Sequence, residues 1–198
     1  FLGQQHLLHL RFRYDIFSMN LEGLYIEYVK AVNALGLNES STVMVASIKW
    51  QIIVVFNNGK SDQVYKMSSS RKPPSCVENS LGTPWGLHEV CETIGTNQPI
   101  GMVFEGRQPI GLRYWECSSE KQKKNLITSR ILRLLGLEEG VNKGGDVDTY
   151  KRYVYIHGTN HEENLGTPAS SGCLQVSNTE ALEISENVPP GSHLLILL

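Results

Sequence analysis

With 198 residues, 40% of them hydrophobic and 19% charged, the chain suits one domain with a core of its own and room for an appendage. Its 18 Lys and Arg against 20 Asp and Glu leave a formal charge of -2, which offers no general attraction to nucleic acid or to an anionic membrane. The 18 Gly and 8 Pro promise many loops, and no apolar run approaches the roughly 18 residues of a membrane span.

The chain begins at Phe1 rather than Met, so any export signal is expected upstream of the residues given. Residues 1–41 read as an N-terminal extension with a helix: Leu21, Leu24, Tyr25, Tyr28, Val29 and Val32 recur at helical spacing, and Gly36 is the stop. A packing role is all that helix needs. From Val43 the pattern changes. An apolar run through Ile48, Ile52, Val54 and Phe56, then Asn57-Asn58-Gly59-Lys60, then Val64-Tyr65-Lys66-Met67, predicts a hairpin. Ser68 to Thr83 is a Ser-, Pro- and Gly-rich loop, followed by a short strand at Leu87-His88-Glu89-Val90. The polar run Ser118 to Lys124 reads as a solvated surface segment. Ile131 to Leu135 is an apolar run before Gly136, and Tyr153-Val154-Tyr155-Ile156 predicts a buried strand ending at His157. A short helix is expected over Thr179–Asn187, closed by Pro189-Pro190-Gly191, with a last buried strand over Leu194–Leu198. Short strands and turn signals thus dominate residues 42–198, which predicts a mostly β (α+β) domain, sandwich-like or barrel-like, with one or two helices.

No Gly-x-Gly-x-x-Gly joins a strand to a helix and no P-loop is present, so no nucleotide cofactor is expected. Three features do meet in the last quarter: His157 at a strand end, a Gly-rich loop, and Ser170-Ser171-Gly172-Cys173. A thiol attacks as thiolate, and a neighbouring imidazole can take its proton and later hand one to a leaving amine. Glycine before the cysteine lets backbone approach a substrate carbonyl, with adjacent amides as oxyanion donors. The alternative reading of these residues is a buried structural Cys and a hydrogen-bonded loop His.

Tyr153-Val154-Tyr155-Ile156-His157-Gly158-Thr159, followed by Leu165-Gly166-Thr167-Pro168-Ala169-Ser170-Ser171-Gly172-Cys173-Leu174, resembles the signature of the L,D-transpeptidase catalytic domain, the YkuD family. Gly82-Thr83-Pro84-Trp85-Gly86 resembles its Thr-Pro-x-Gly element, and Thr128-Ser129-Arg130-Ile131-Leu132 with Gly136-Leu137-Glu138 resembles the segment upstream of the histidine. The resemblance spans roughly Thr42 to Leu198 and implies a β-rich catalytic domain over 42–198. It further implies a cysteine acyltransferase acting on peptidoglycan stem peptides, without cofactor or metal. Cys173 would expel a terminal D-alanine, form a thioester and pass the acyl group to an acceptor amine; water as acceptor would make an L,D-carboxypeptidase. His157 maps on the family's base, the Gly158 carbonyl on the group that orients it, and the amides of Gly172 and Cys173 on the oxyanion donors. Ser170, Ser171, Thr159, Gln175 and Arg130 are the expected substrate contacts. Carbapenem-type inhibitors are expected to acylate the thiol, and the setting would be the periplasm or cell envelope.

Two positions depart from the pattern. Ser171 stands where the family has His, and Gln175 where it often has Arg, which predicts altered specificity or lower activity, or a wall-binding module that has lost turnover. Other readings compete less well. His157 and His161 with Glu162 would share a face for zinc only on a helix, whereas a strand is expected there. Arg130 either meets a substrate carboxylate or serves as a structural ion-pair partner. Cys76 and Cys91 are candidates for a disulfide, and Cys117 for a small apolar residue. A papain-like protease would have its cysteine before its histidine, the reverse of the order here.

Overall fold

A computed structural model describes residues 20–198; the part of the expected N-terminal extension over 1–19 lies outside them. Helix α1 (Leu21–Ala34) starts where Asn20 Oδ1 accepts the Gly23 N–H at 3.0 Å. It stops at Gly36, whose φ of 65 lets its own N–H reach the Asn33 carbonyl and the Leu37 N–H reach the Val32 carbonyl, both at 3.1 Å. Leu24, Tyr28 and Val32 form its buried stripe.

Ten strands follow: β1 (Thr42–Ser47), β2 (Ile52–Asn57), β3 (Lys60–Lys66), β4 (Gly86–Ile94), β5 (Met102–Glu105), β6 (Gln108–Arg113), β7 (Ile127–Gly136), β8 (Tyr155–Thr159), β9 (Leu174–Val176) and β10 (His193–Leu197). They form one open mixed sheet in the order β3-β2-β1-β10-β4-β7-β5-β6, with β8 paired to β7 and β9 to β8. Pairing is antiparallel except for β1 with β10 and β8 with β9. The mostly β reading with a few helices therefore holds.

Alternation along the strands gives the sheet two apolar faces. Val43 and Val45 of β1, with Ile52, Val54 and Phe56 of β2, pack under α1. Met44, Ala46, Ile53 and Val55 point the other way and join Leu132, Leu134, Ile156, Leu174 and Val176 beneath helix α3 (Asn178–Asn187), which contributes Ala181 and Ile184. Ser177 and Glu180 cap α3 reciprocally, each side chain accepting the other's backbone N–H. Between these elements, α2 (Ser119–Gln122) is a single exposed turn inside the polar run.

The Asn58-Gly59 turn has φ values of 49 and 79, the paired positive angles that match strand twist in a two-residue hairpin. Two expectations are corrected and one element is added. The apolar run from Val43 to Phe56 is two strands, because the chain reverses over Ile48–Gln51 with Gln51 at φ 53. The β5–β6 hairpin had not been expected. Tyr153 lies outside β8, 53% exposed and at φ 57, and the strand runs on through His157 to Thr159.

Candidate active site

The parallel pairing of β8 with β9 builds the site. Ile156, His157 and Gly158 lie opposite Leu174, Gln175 and Val176. Ile156, Leu174 and Val176 face the core under α3, so alternation sends His157 and Gln175 to the other face, with Cys173 one position before β9. His157, Cys173, Ser170, Ser171 and Gln175 line one cavity of about 170 Å³, together with Asn125 and Ile127. A second cavity of about 300 Å³ opens on the far side of Cys173 and Ser171, lined by Gly172, Leu81, Glu78, Lys151, Arg152 and Tyr153. The thiol stands at the junction.

His157 is buried, and its Nδ1 lies 2.7 Å from the Gly158 carbonyl. A carbonyl only accepts, so Nδ1 carries the proton and Nε2 keeps a free lone pair. Burial pulls the imidazole down to about 4, against the Gly158 hydrogen bond that pulls it up. Burial likewise pushes the Cys173 thiol up to about 11, while the Tyr155 backbone and the charge of Arg152 draw it down. Although part of Cys173 reaches the surface, the residue packs against an apolar cluster that includes Met102, Phe104 and Ile131. At neutral pH the pair is thus thiol and imidazole rather than thiolate and imidazolium. The thiol's hydrogen-bond acceptor is the Tyr153 carbonyl at 3.6 Å and not the imidazole.

Ser170 is the linchpin of the nucleophile turn. Its Oγ donates to the Cys173 carbonyl at 2.6 Å and accepts the Gly172 N–H at 3.2 Å. Gly172 has φ 131, a conformation that disfavours any residue with a Cβ. Behind the turn, the buried Ser68-Ser69-Ser70 segment braces it: Ser69 O accepts from Ala169 and Ser170, and Ser68 exchanges backbone hydrogen bonds with Gln175. Gln175 is itself buried and donates to Asn125 Oδ1 at 2.7 Å.

Two of the expected contacts lie elsewhere. Arg130 donates to the carbonyls of Gln98, Ser129 and Thr96, tying down the loop after β4, and neither cavity includes it. Thr159 is buried, its Oγ1 accepting from the His161 N–H and its carbonyl from Asn178 Nδ2. The candidate pairing of Cys76 with Cys91 is not made: all four thiols are free, with Cys76 directed at the Trp85 carbonyl and Cys91 at the Arg133 carbonyl. Conversely, Asn125, Ile127 and Arg152 line the cavities without having been singled out. Arg152 had a signal, since it directly precedes the Tyr153-to-His157 run; Asn125 had none. Among the described residues no cluster of three or more His, Cys, Asp or Glu is placed to hold a metal ion, and no helix is long and apolar enough to cross a membrane.

The YkuD family profile, described as L,D-transpeptidase catalytic domain, matches residues 41–196. YqjB of Bacillus subtilis, assigned to the L,D-transpeptidases, is 42% identical over 45 residues, covering 23% of this chain and 26% of its own. YkuD of Bacillus licheniformis, with the same assignment, is 35% identical over 60 residues, or 28% of this chain and 36% of its own. These matches thus span about a third or less of either relative. Among solved structures, LdtMt1 in complex with imipenem has a TM-score of 0.50 at 19% identity, over 79% of this chain and 59% of that one. L,D-transpeptidase 3 from Mycobacterium tuberculosis has a TM-score of 0.50 at 16% identity, over 80% and 61%. At such identities these structures share the fold alone.

Proposed function

Because the chain belongs to the L,D-transpeptidase catalytic domain family, we propose that it is a cysteine acyltransferase on peptidoglycan stem peptides. Residues 42–198 form its catalytic unit, with α1 as an attached packing element. The observation that carries this reading is the cavity shared by Cys173 and His157, in which the Gly158 carbonyl holds the imidazole with Nε2 free. Rotation of the Cys173 side chain takes the thiol proton from the Tyr153 carbonyl to Nε2, a rearrangement that substrate binding drives. Sγ attacks the carbonyl of the third stem residue as His157 accepts the proton, and the oxyanion meets the Cys173 N–H and, once released from Ser170, that of Gly172. The C–N bond to D-alanine breaks, His157 protonates the departing amine, and a thioester remains. An acceptor amine then attacks the thioester, His157 takes its proton, the C–S bond breaks, and His157 returns the proton to the departing sulfur to restore the thiol. Two cavities meeting at one sulfur suit two peptide arms.

This substrate lies outside the cytoplasmic membrane, so the reading puts the chain in the cell envelope. The test is incubation with purified muropeptides and mass analysis of the products, with Cys173→Ala alongside. Cross-linked dimers absent from the variant support transfer, and trimmed stems support carboxypeptidase action. No product, combined with no covalent carbapenem adduct, sinks both. Ser171 and Gln175, where the resemblance has His and Arg, make a wall-binding module the reading left in that case.

A further inference from the structure

Gln175, where the resemblance places an Arg two residues after the nucleophile, is neutral and engaged with Asn125. On the opposite side of Cys173 the structure does hold a fixed cation. Arg152 lines the larger cavity with Cys173, and three hydrogen bonds pin its guanidinium: Nη1 to the Ser75 carbonyl at 3.1 Å, and Nη2 to Ser80 Oγ at 3.3 Å and the Gly82 carbonyl at 2.8 Å. The segment it grips lies against the nucleophile turn. A Cβ placed on Gly172 would stand 3.6 Å from the Gly82 carbonyl oxygen and 3.7 Å from that of Leu81.

We infer that Arg152 is a positioning residue of the nucleophile, holding the 75–82 segment against the Gly172 turn and presenting its charge to the Cys173 sulfur as that sulfur becomes anionic. The inference deepens the acyl-transfer reading of Cys173 and rests on it for its place in the reaction.

The groups facing the sulfur leave this role to Arg152. Glu78 and Lys151 line the same cavity but are exposed, so water screens their opposite charges. Tyr153 offers its carbonyl to the thiol, and Tyr155 is a neutral buried phenol that burial holds above its usual pKa. His157, on the other side, is uncharged until it takes the proton. Arg152 is half-buried, with burial lowering its pKa and the charge of Cys173 among the influences raising it. An opposite charge held in a partly dry site favours the ionised thiol, and a guanidinium gripped by carbonyls keeps its place while the charge develops.

The experiment is the pH dependence of alkylation at Cys173 by iodoacetamide, followed by peptide mass spectrometry from about pH 6 to pH 11, with the midpoint placed by the displacement of the rising limb along the pH axis. It needs no peptidoglycan, so failure of the proposed function, seen as absent muropeptide products, is distinct from failure here. Arg152→Gln is expected to move the midpoint to higher pH and to slow alkylation at neutral pH by roughly 3–10-fold. Arg152→Lys, which keeps the charge but loses the fork, is expected to recover at least half of that shift. A midpoint unmoved in Arg152→Gln, or Arg152→Lys as displaced as Arg152→Gln, overturns the electrostatic role and leaves a loop clamp only. Should Arg152→Gln fail to fold, the wild-type protein still decides: raising NaCl from about 0.05 to about 1 M must move the midpoint upward as screening weakens the cation, and an unchanged midpoint overturns the proposal.

Discussion

Gln175 Nε2 donates to Asn125 Oδ1 over 2.7 Å, joining the strand that follows the nucleophile to the loop that leads into β7. Because Gln175 is buried and Asn125 lies at the surface, the bond fixes one wall of the smaller cavity from outside. Asn125→Ala and Gln175→Leu should each lower the free energy of unfolding in urea. The double variant should lose less than the sum by about 0.5–1.5 kcal/mol, the worth of one neutral hydrogen bond. Additive losses would mean the pair contributes nothing as a pair.

His157 titrates near 4 and Cys173 near 11, so both are neutral over a wide interval. Attack with proton transfer to His157 then runs at a constant rate over that interval and slows as the imidazole protonates, below about 4. His157→Gln leaves only pre-ionised thiol. Its carbapenem acylation at pH 7 should fall roughly 10²–10⁴-fold and should rise tenfold per pH unit. A flat profile in that variant would remove His157 from the role of base.

Ser171 lines both cavities and is exposed, so a larger side chain there has space on its solvent side. Ser171→His should raise acylation about two- to twelve-fold, the effect of one added hydrogen bond worth about 0.5–1.5 kcal/mol. Rates measured side by side with a tetrapeptide and a carbapenem decide it. Loss on both substrates would show that the turn has been reshaped around serine.

Burial also holds His88 down to about 4, with Thr149 Oγ1 at 3.0 Å and the Gly86 carbonyl at 2.9 Å as its ring partners. An unfolded histidine titrates near 6.5, so between the two values the unfolded chain binds the extra proton. The stabilisation is therefore complete above about 6.5 and lost as pH falls toward about 4, on the order of 3 kcal/mol for each of His88 and His157. Urea midpoints should drop steeply between pH 7 and about 4.5, and His88→Gln should flatten part of that slope.

Legibility in the sequence followed how local the cause was. The Asn58-Gly59 turn, the Gly36 stop and the helix before Pro189 could be read because a few adjacent residues dictate them. The reversal at Ile48–Gln51 carries no Gly, Pro or Asn, and it exists because Ile48 N–H meets the Leu197 carbonyl from β10, far along the chain. His157 and Cys173 were visible through their flanking motifs. Asn125 was not, since only folding brings the loop that leads into β7 to the nucleophile's cavity, and Arg152 carried a signal only in directly preceding the Tyr153-to-His157 run. Arg130 stayed undecided in the sequence because a cation between apolar residues looks the same whether carbonyls or a ligand receive it, and here its guanidinium meets the carbonyls of Gln98 and Thr96.

Strand β10 lies between β1 and β4, so the last of the described strands is the seam between the β1–β3 meander and the part of the sheet that holds β7, β8 and β9. Among the described strands the other nine precede β10 in sequence, and without β10 both β1 and β4 present an unpaired backbone edge. The nucleophile's half and the meander must wait for each other. A nascent or truncated chain lacking residues 193–197 is consequently two sticky half-sheets, and a chaperone or a second nascent chain would meet it at those two edges.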